Sequence, residues 1–153
     1  MIVILHNIRS NHNVGSIFRT ADGAGIEKIY LTGITPSLID RFGRQNRALS
    51  KVSLNAEDYI KWEYTKSAAK LLDKLKAQGY MILALEQNKL SKPLFKLKLA
   101  KNSKIALIVG NEIKGLPKTI LERSDKILEI PMCGKKESLN VSVAFGIAAY
   151  QLI

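Results

Sequence analysis

Short apolar runs alternate along the chain with stretches in which apolar residues return every three or four positions. Runs at residues 2–5, 28–31, 80–85, 105–109 and 127–131 are bounded by polar or turn-forming residues and predict five buried β-strands. Residues 13–25 predict a helix that ends at Gly23 and Gly25, since glycine relieves the backbone of a helix C-terminus. Residues 67–78 place Ala68, Leu71, Leu72 and Leu75 at helical spacing and stop before Gly79. Residues 117–123 fit a short helix with Pro117 in its first turn. Residues 32–64 are polar and irregular and read as one long functional loop. Strand–helix alternation of this kind implies an α/β fold with a mainly parallel sheet. No internal repeat or linker divides residues 1–153, so a single domain is expected.

The last predicted helix, residues 139–153, differs from the others. Val141, Val143, Ala144, Phe145, Ile147, Ala148, Ala149, Tyr150 and Leu152 leave it almost no polar face. A helix apolar all round is buried all round. In so small a domain one side can cover the sheet, and the other is then expected to meet a second copy of the chain.

Composition narrows the class. With 153 residues the chain is long enough to bury a core without metals or disulfides, and 46% hydrophobic with 24% charged residues is an ordinary globular balance. No apolar stretch approaches the roughly 20 residues of a spanning helix, and residues 1–5 lack the basic flank of a signal peptide. No membrane partner is expected. The lone Cys133 permits neither an intramolecular disulfide nor a cysteine zinc cage; it is expected to be a small packing residue in a reducing, cytoplasmic setting. Charge changes the picture most. Twenty-four Lys and Arg against thirteen acids give +11, a field that attracts polyanions, nucleic acid ahead of an anionic membrane.

Several chemistries are excluded by what is missing. The chain has no G-x-x-x-x-G-K-[ST] phosphate loop, no G-x-S-x-G elbow and no H-E-x-x-H helix, and His6 and His12 are its two histidines. Gly23-Ala24-Gly25 follows a helix instead of a strand, which argues against a dinucleotide turn. No metal site is expected.

Three segments at predicted strand ends or helix starts carry candidate chemistry, where open α/β sheets concentrate ligand sites. Residues 11–22 (NHNVGSIFRTAD) offer Asn13 as a helix cap and set Ser16 and Arg19 on a shared helical face. Residues 108–117 (IVGNEIKGLP) carry Gly110 and Gly115, which allow backbone to approach a ligand closely. Residues 130–142 (IPMCGKKESLNVS) bring Ser138 and Asn140 to the free N–H groups that open the last helix.

Taken together, NVGSIFRTAD, VGNE with Gly115 and Leu116, and the IPM…SLNVSVA stretch resemble the three signature motifs of the SpoU (TrmH-type) branch of the SPOUT RNA methyltransferases. The resemblance runs from Asn7 to Leu152. It implies an α/β-knot fold, with a C-terminal trefoil knot, and a homodimer formed through the knot region. It implies S-adenosyl-L-methionine as cofactor, held by residues at Leu85, Gly110, Ile130, Ser138 and Leu139. It also implies methyl transfer to a ribose 2′-hydroxyl of tRNA or rRNA, with Arg19, Asn13, Glu112, Ser138 and Asn140 around the reacting atoms. Arg19 is expected to grip a phosphate and stabilise the emerging alkoxide, since guanidinium stays protonated. Glu112 would orient Arg19 or the motif backbone.

RNA contact is expected from Arg41, Arg44, Arg47 and Lys51 in the long loop, because arginine forks onto phosphate. Lys89, Lys92, Lys96, Lys98, Lys101 and Lys104 form an acid-free run, read either as a phosphate track or as solvated surface. No separate RNA-binding module is expected. Two rival readings stay open: a non-catalytic RNA-binding protein with the same knotted fold, and a base methyltransferase.

Overall fold

The computed structural model describes residues 1–40 and 42–153. All five expected strands form: β1 (Ile2–His6), β2 (Lys28–Thr32), β4 (Met81–Leu85), β6 (Ile105–Val109) and β7 (Lys126–Glu129). Two more complete a seven-stranded sheet in the order β3-β2-β1-β6-β4-β7-β5, and every pairing is parallel. β5 (Lys92–Pro93) is a two-residue edge, where proline's missing N–H costs no ladder bond.

β3 (Lys61–Thr65) corrects the reading of residues 32–64 as loop. That segment also holds α2 (Arg47–Ser53) and a 3₁₀ turn, Ala56–Asp58. The strand escaped notice because it lies at an edge and neither of its faces is buried. In-register pairing from Lys28↔Lys61 to Thr32↔Thr65 holds it, with a 2.7 Å Lys28–Glu63 ion pair and a 2.7 Å bond from the Tyr64 hydroxyl to the Gly33 carbonyl.

Alternation along the strands sorts the core into two faces. Val3, Leu5, Leu107 and Val109 point to the side covered by α1 (Asn11–Gly23), α2 and α5 (Val141–Leu152). Ile2, Ile4, Ala106 and Ile108 point to α3 (Ala68–Ala77) and α4 (Lys118–Leu121). α1 and α2 pack tightly at Gly15, where a Cβ would stand 2.8 Å from both the Leu49 carbonyl oxygen and the Val52 Cβ. As expected, glycines follow α1 and α3: Gly25 and Gly79 have φ of +65° and +82°.

α5 buries Val141, Phe145, Ala148, Ala149 and Leu152 but leaves Val143 51% and Tyr150 58% exposed. One side of this apolar helix is therefore bare in the single chain. Cys133 is exposed, against expectation, because residues 131–140 run outside the core as an irregular connection. Among the described residues no helix is long and apolar enough to cross a membrane.

Candidate functional site

The carboxyl ends of β4, β6 and β7 open onto a cleft of about 660 Å³, its mouth included. Leu85, Val109 and Glu129 are the last residues of those strands, and Val141 and Ala144 of α5 close the far side. A crevice at this end of a parallel sheet is where such folds bind ligands. Its lining includes all five residues expected to hold a cofactor: Leu85, Gly110, Ile130, Ser138 and Leu139. Glu112 lines it too.

Gly110 has a different reason to be glycine from the one its sequence suggests. A Cβ there would come within 2.7 Å of Leu116 Cγ and 2.9 Å of the Gly115 carbonyl carbon, so the close approach is by the chain's own loop. Gly115, with φ of +64°, faces the Glu86 carboxylate, whose Oε2 accepts the Leu116 N–H at 2.7 Å. Glu86 thus ties the second motif to the end of β4. Sequence reasoning missed it because no pattern marks a single acid after a strand.

Beside the cleft, three motif side chains form a chain of bonds. Asn13 Nδ2 donates to Glu112 Oε1 at 2.9 Å, and Asn140 Nδ2 donates to Asn13 Oδ1 at 3.1 Å. Asn140 Oδ1 in turn accepts the N–H and the hydroxyl of Ser142, at 2.9 and 2.6 Å, capping α5. Asn13 is buried, and it is not the cap of α1 as expected. Ser10 takes that role, accepting the Asn13 N–H at 3.2 Å and leaving the Asn13 amide free for Glu112 and Asn140. The second motif is also fixed through Asn111, whose side chain donates to the Asn7 carbonyl at 2.9 Å and accepts from Ile113 and Lys114.

Glu112 orients Asn13 and, at 3.5 Å, the Arg9 backbone N–H; no bond joins it to Arg19. Arg19 is exposed on α1, and among the described residues its side chain makes no hydrogen bond or ion pair. Ser138 lines the cleft without bonding to that network. Of the expected RNA contacts, Arg44, Arg47 and Lys51 are exposed, Arg47 and Lys51 one turn apart on α2. Arg44 lies 3.9 Å from Asp40 and over the Phe42 ring. Arg41 lies outside the described residues. Among those residues no group of three or more His, Cys, Asp or Glu side chains is placed to hold a metal ion.

The sequence profile of the SpoU rRNA Methylase family matches residues 1–150. An uncharacterised tRNA/rRNA methyltransferase from Borreliella burgdorferi is 33% identical over 151 residues, covering 99% of this chain and 62% of its own length. The 23S rRNA (guanosine-2′-O-)-methyltransferase RlmB of Pseudomonas aeruginosa is 29% identical over 153 residues, covering 100% of this chain and 58% of its own. The chain thus spans about 60% of the length of these curated relatives. Among solved structures, the AdoMet-bound rRNA methyltransferase of Sinorhizobium meliloti superposes with a TM-score of 0.87 at 25% identity, over 98% of this chain and 54% of that one.

Proposed function

Because the chain belongs to the SpoU rRNA Methylase family, we propose that it transfers a methyl group from S-adenosyl-L-methionine to a ribose 2′-hydroxyl of tRNA or rRNA. The observation that carries this reading is one of place: the cleft lined by the five expected cofactor residues adjoins the Asn13–Glu112–Asn140 network.

The residues of the cleft suit that cofactor. Leu85, Val109, Ile130 and Leu139 offer apolar walls to a purine, while Glu86, Glu112 and Glu129 supply negative charge toward a sulfonium. Among the described residues, residues 132–139 make no backbone–backbone hydrogen bond, so their N–H and C=O groups are available to a ligand. When bound, the cofactor supplies an electrophilic methyl group.

The chain's own residues do the rest. Arg19, exposed and unpaired, grips the phosphate beside the target ribose and stabilises the negative charge that builds on the attacking oxygen. The network on Asn13 and Asn140, with Ser138 in the cleft wall, holds the ribose in line with the methyl group. Arg41, Arg44, Arg47 and Lys51 extend the phosphate contacts. A single methyltransferase domain, residues 1–153, acts as a homodimer in the cytoplasm. The bare apolar side of α5 supports the dimer, and membership of the family supports a C-terminal trefoil knot.

Two measurements test the proposal. Calorimetry should register binding of S-adenosyl-L-methionine, and mapping of 2′-O-methyl sites in a deletion strain should find one site missing relative to its parent. A chain that binds RNA but no methyl donor is the non-catalytic protein instead.

A further inference from the structure

On the far side of β7 lies a second cleft, of about 760 Å³ with its mouth included. Its rim is Lys92, Lys96, Lys98 and Lys126, and no acid lines it. All four lysines are exposed, and among the described residues none is in an ion pair. Its floor is Pro93, Leu97 and Leu128. Three of the lysines come from the acid-free run, but Lys126 arrives from β7, nearly thirty residues later, through the pairing of β5 with β7. The fold, not the sequence run alone, closes the ring.

Four uncompensated ammonium groups around a hollow repel one another, and an anion relieves that repulsion. A second copy of this chain is placed instead against the bare apolar side of α5. Phe95, next to the cleft and not part of its lining, stands 55% exposed on the same 3₁₀ turn as Lys96, a flat face of the kind on which a nucleobase stacks. An apolar floor, a cationic rim and an exposed ring together match a nucleotide chain better than a simple anion. We propose that this cleft binds the phosphodiester backbone of the RNA substrate, away from the nucleotide being methylated. It rests on the reading of RNA as substrate, and names a contact surface for it.

The site lies beside the methyl-donor cleft. Leu128 forms the floor here, while the next residue, Glu129, lines the other cleft and accepts from the Ser91 hydroxyl at 2.5 Å. The linings of the two clefts therefore meet at β7.

The test compares two variants with equal loss of charge. One replaces Lys92, Lys96, Lys98 and Lys126 by alanine; the other replaces Lys61, Lys66, Lys70 and Lys74, exposed around β3 and α3 at the opposite edge. Fluorescence polarisation with labelled bulk bacterial tRNA, over a series of salt concentrations, reads both. The first variant should bind at least tenfold more weakly, with the log–log salt slope smaller by about 3, at roughly 0.7–0.9 per phosphate contact. The second should stay within about threefold of the parent. Equal weakening in both overturns the proposal, since it would report only the overall field; so does an unchanged first variant. Phe95→Ala should weaken tRNA binding about tenfold and leave inorganic polyphosphate binding alone. A cleft that holds polyphosphate as tightly as tRNA and ignores Phe95→Ala is not an RNA site. Calorimetry with S-adenosyl-L-methionine, expected unchanged in every variant, separates these failures from failure of the methyltransferase reading.

Discussion

The two polar regions on α1 are built in opposite ways. At its N-terminal end Asn13 is buried and bonded on both sides, to Glu112 and to Asn140, before any ligand arrives. A few residues on, Arg19 projects from the helix with no partner, as do Arg47 and Lys51 on the neighbouring α2. The first region joins three distant motifs into one fixed shape; the second holds unspent charge at the surface. A buried network fixes geometry because a broken bond there leaves an unsatisfied polar group. A free guanidinium fixes nothing until an anion meets it, and then contributes charge where charge develops.

The largest effect should follow from emptying the second region. Arg19→Ala is expected to lower single-turnover methyl transfer about 10³-fold, the order found when a key charge-stabilising donor is lost. Arg19→Lys should recover little of it, because lysine cannot fork onto two oxygens. Neither should change S-adenosyl-L-methionine affinity, and urea denaturation should stay within about 0.5 kcal/mol of the parent, as for an unpartnered surface residue. Near-normal turnover in Arg19→Lys would remove the two-pronged contact from the mechanism.

Gly15→Ala tests what joins the regions. Its Cβ would sit 2.8 Å from both Leu49 O and Val52 Cβ, so α2 must move off α1. A loss of about 1–3 kcal/mol in urea denaturation is expected, typical of overpacking at a tight seam. Because α2 carries Arg47 and Lys51, RNA affinity should fall with it. Unchanged stability would mean that the seam yields freely.

The split between these regions also marks how far the chain could be read. Five strands and the parallel sheet were legible because buried strands are unbroken apolar runs, and the lining of the cleft was legible because its motifs are specific strings. The edge strand β3 was not, since Lys61, Glu63 and Tyr64 face solvent and no hydrophobic period betrays them. The capping of α1 was misassigned by three residues: Ser10 and Asn13 are both good caps, and only the tertiary bond to Glu112 decides between them. The reason for Gly110 lay in the return of Leu116, a contact no local pattern announces. Lys126 joined the lysine ring only through strand pairing. What local sequence states was readable; what folding brings together was readable only where a family motif had recorded it.

A double-mutant cycle on Asn13→Ala and Asn140→Ala sharpens the contrast from the other side. The pair should show a coupling of about 1 kcal/mol in urea denaturation, the size of one neutral hydrogen bond between touching residues. Pairing either with Arg19→Ala should give additive stabilities, since no bond links Arg19 to the network. Coupling to Arg19 in the absence of RNA would show that the regions are not separate.

The smallest effect concerns His6, at the end of β1. Asn7 Nδ2 lies 3.0 Å from His6 Nε2 and, as an amide donor, makes that nitrogen the acceptor; His6 Nδ1 then donates to Thr32 Oγ1 at 2.9 Å. The ring is half-buried, and burial pushes its pKa below the ordinary 6.5. A proton on Nε2 would displace the Asn7 amide, whose Oδ1 holds the Ile34 N–H and whose carbonyl holds Asn111. The unfolded chain takes up that proton first, so stability is full above about pH 6.5 and declines as pH falls toward the lower folded pKa. Glu57 and Glu63, both held below their ordinary 4.5, lose their contribution only in more acid solution, so the window above pH 4.5 belongs to the histidine. Urea midpoints between pH 5 and 8 should therefore show a shallow decline on the acid side that His6→Gln flattens. An equal decline in that variant would place the titrating group elsewhere and free the second motif from any dependence on the charge of His6.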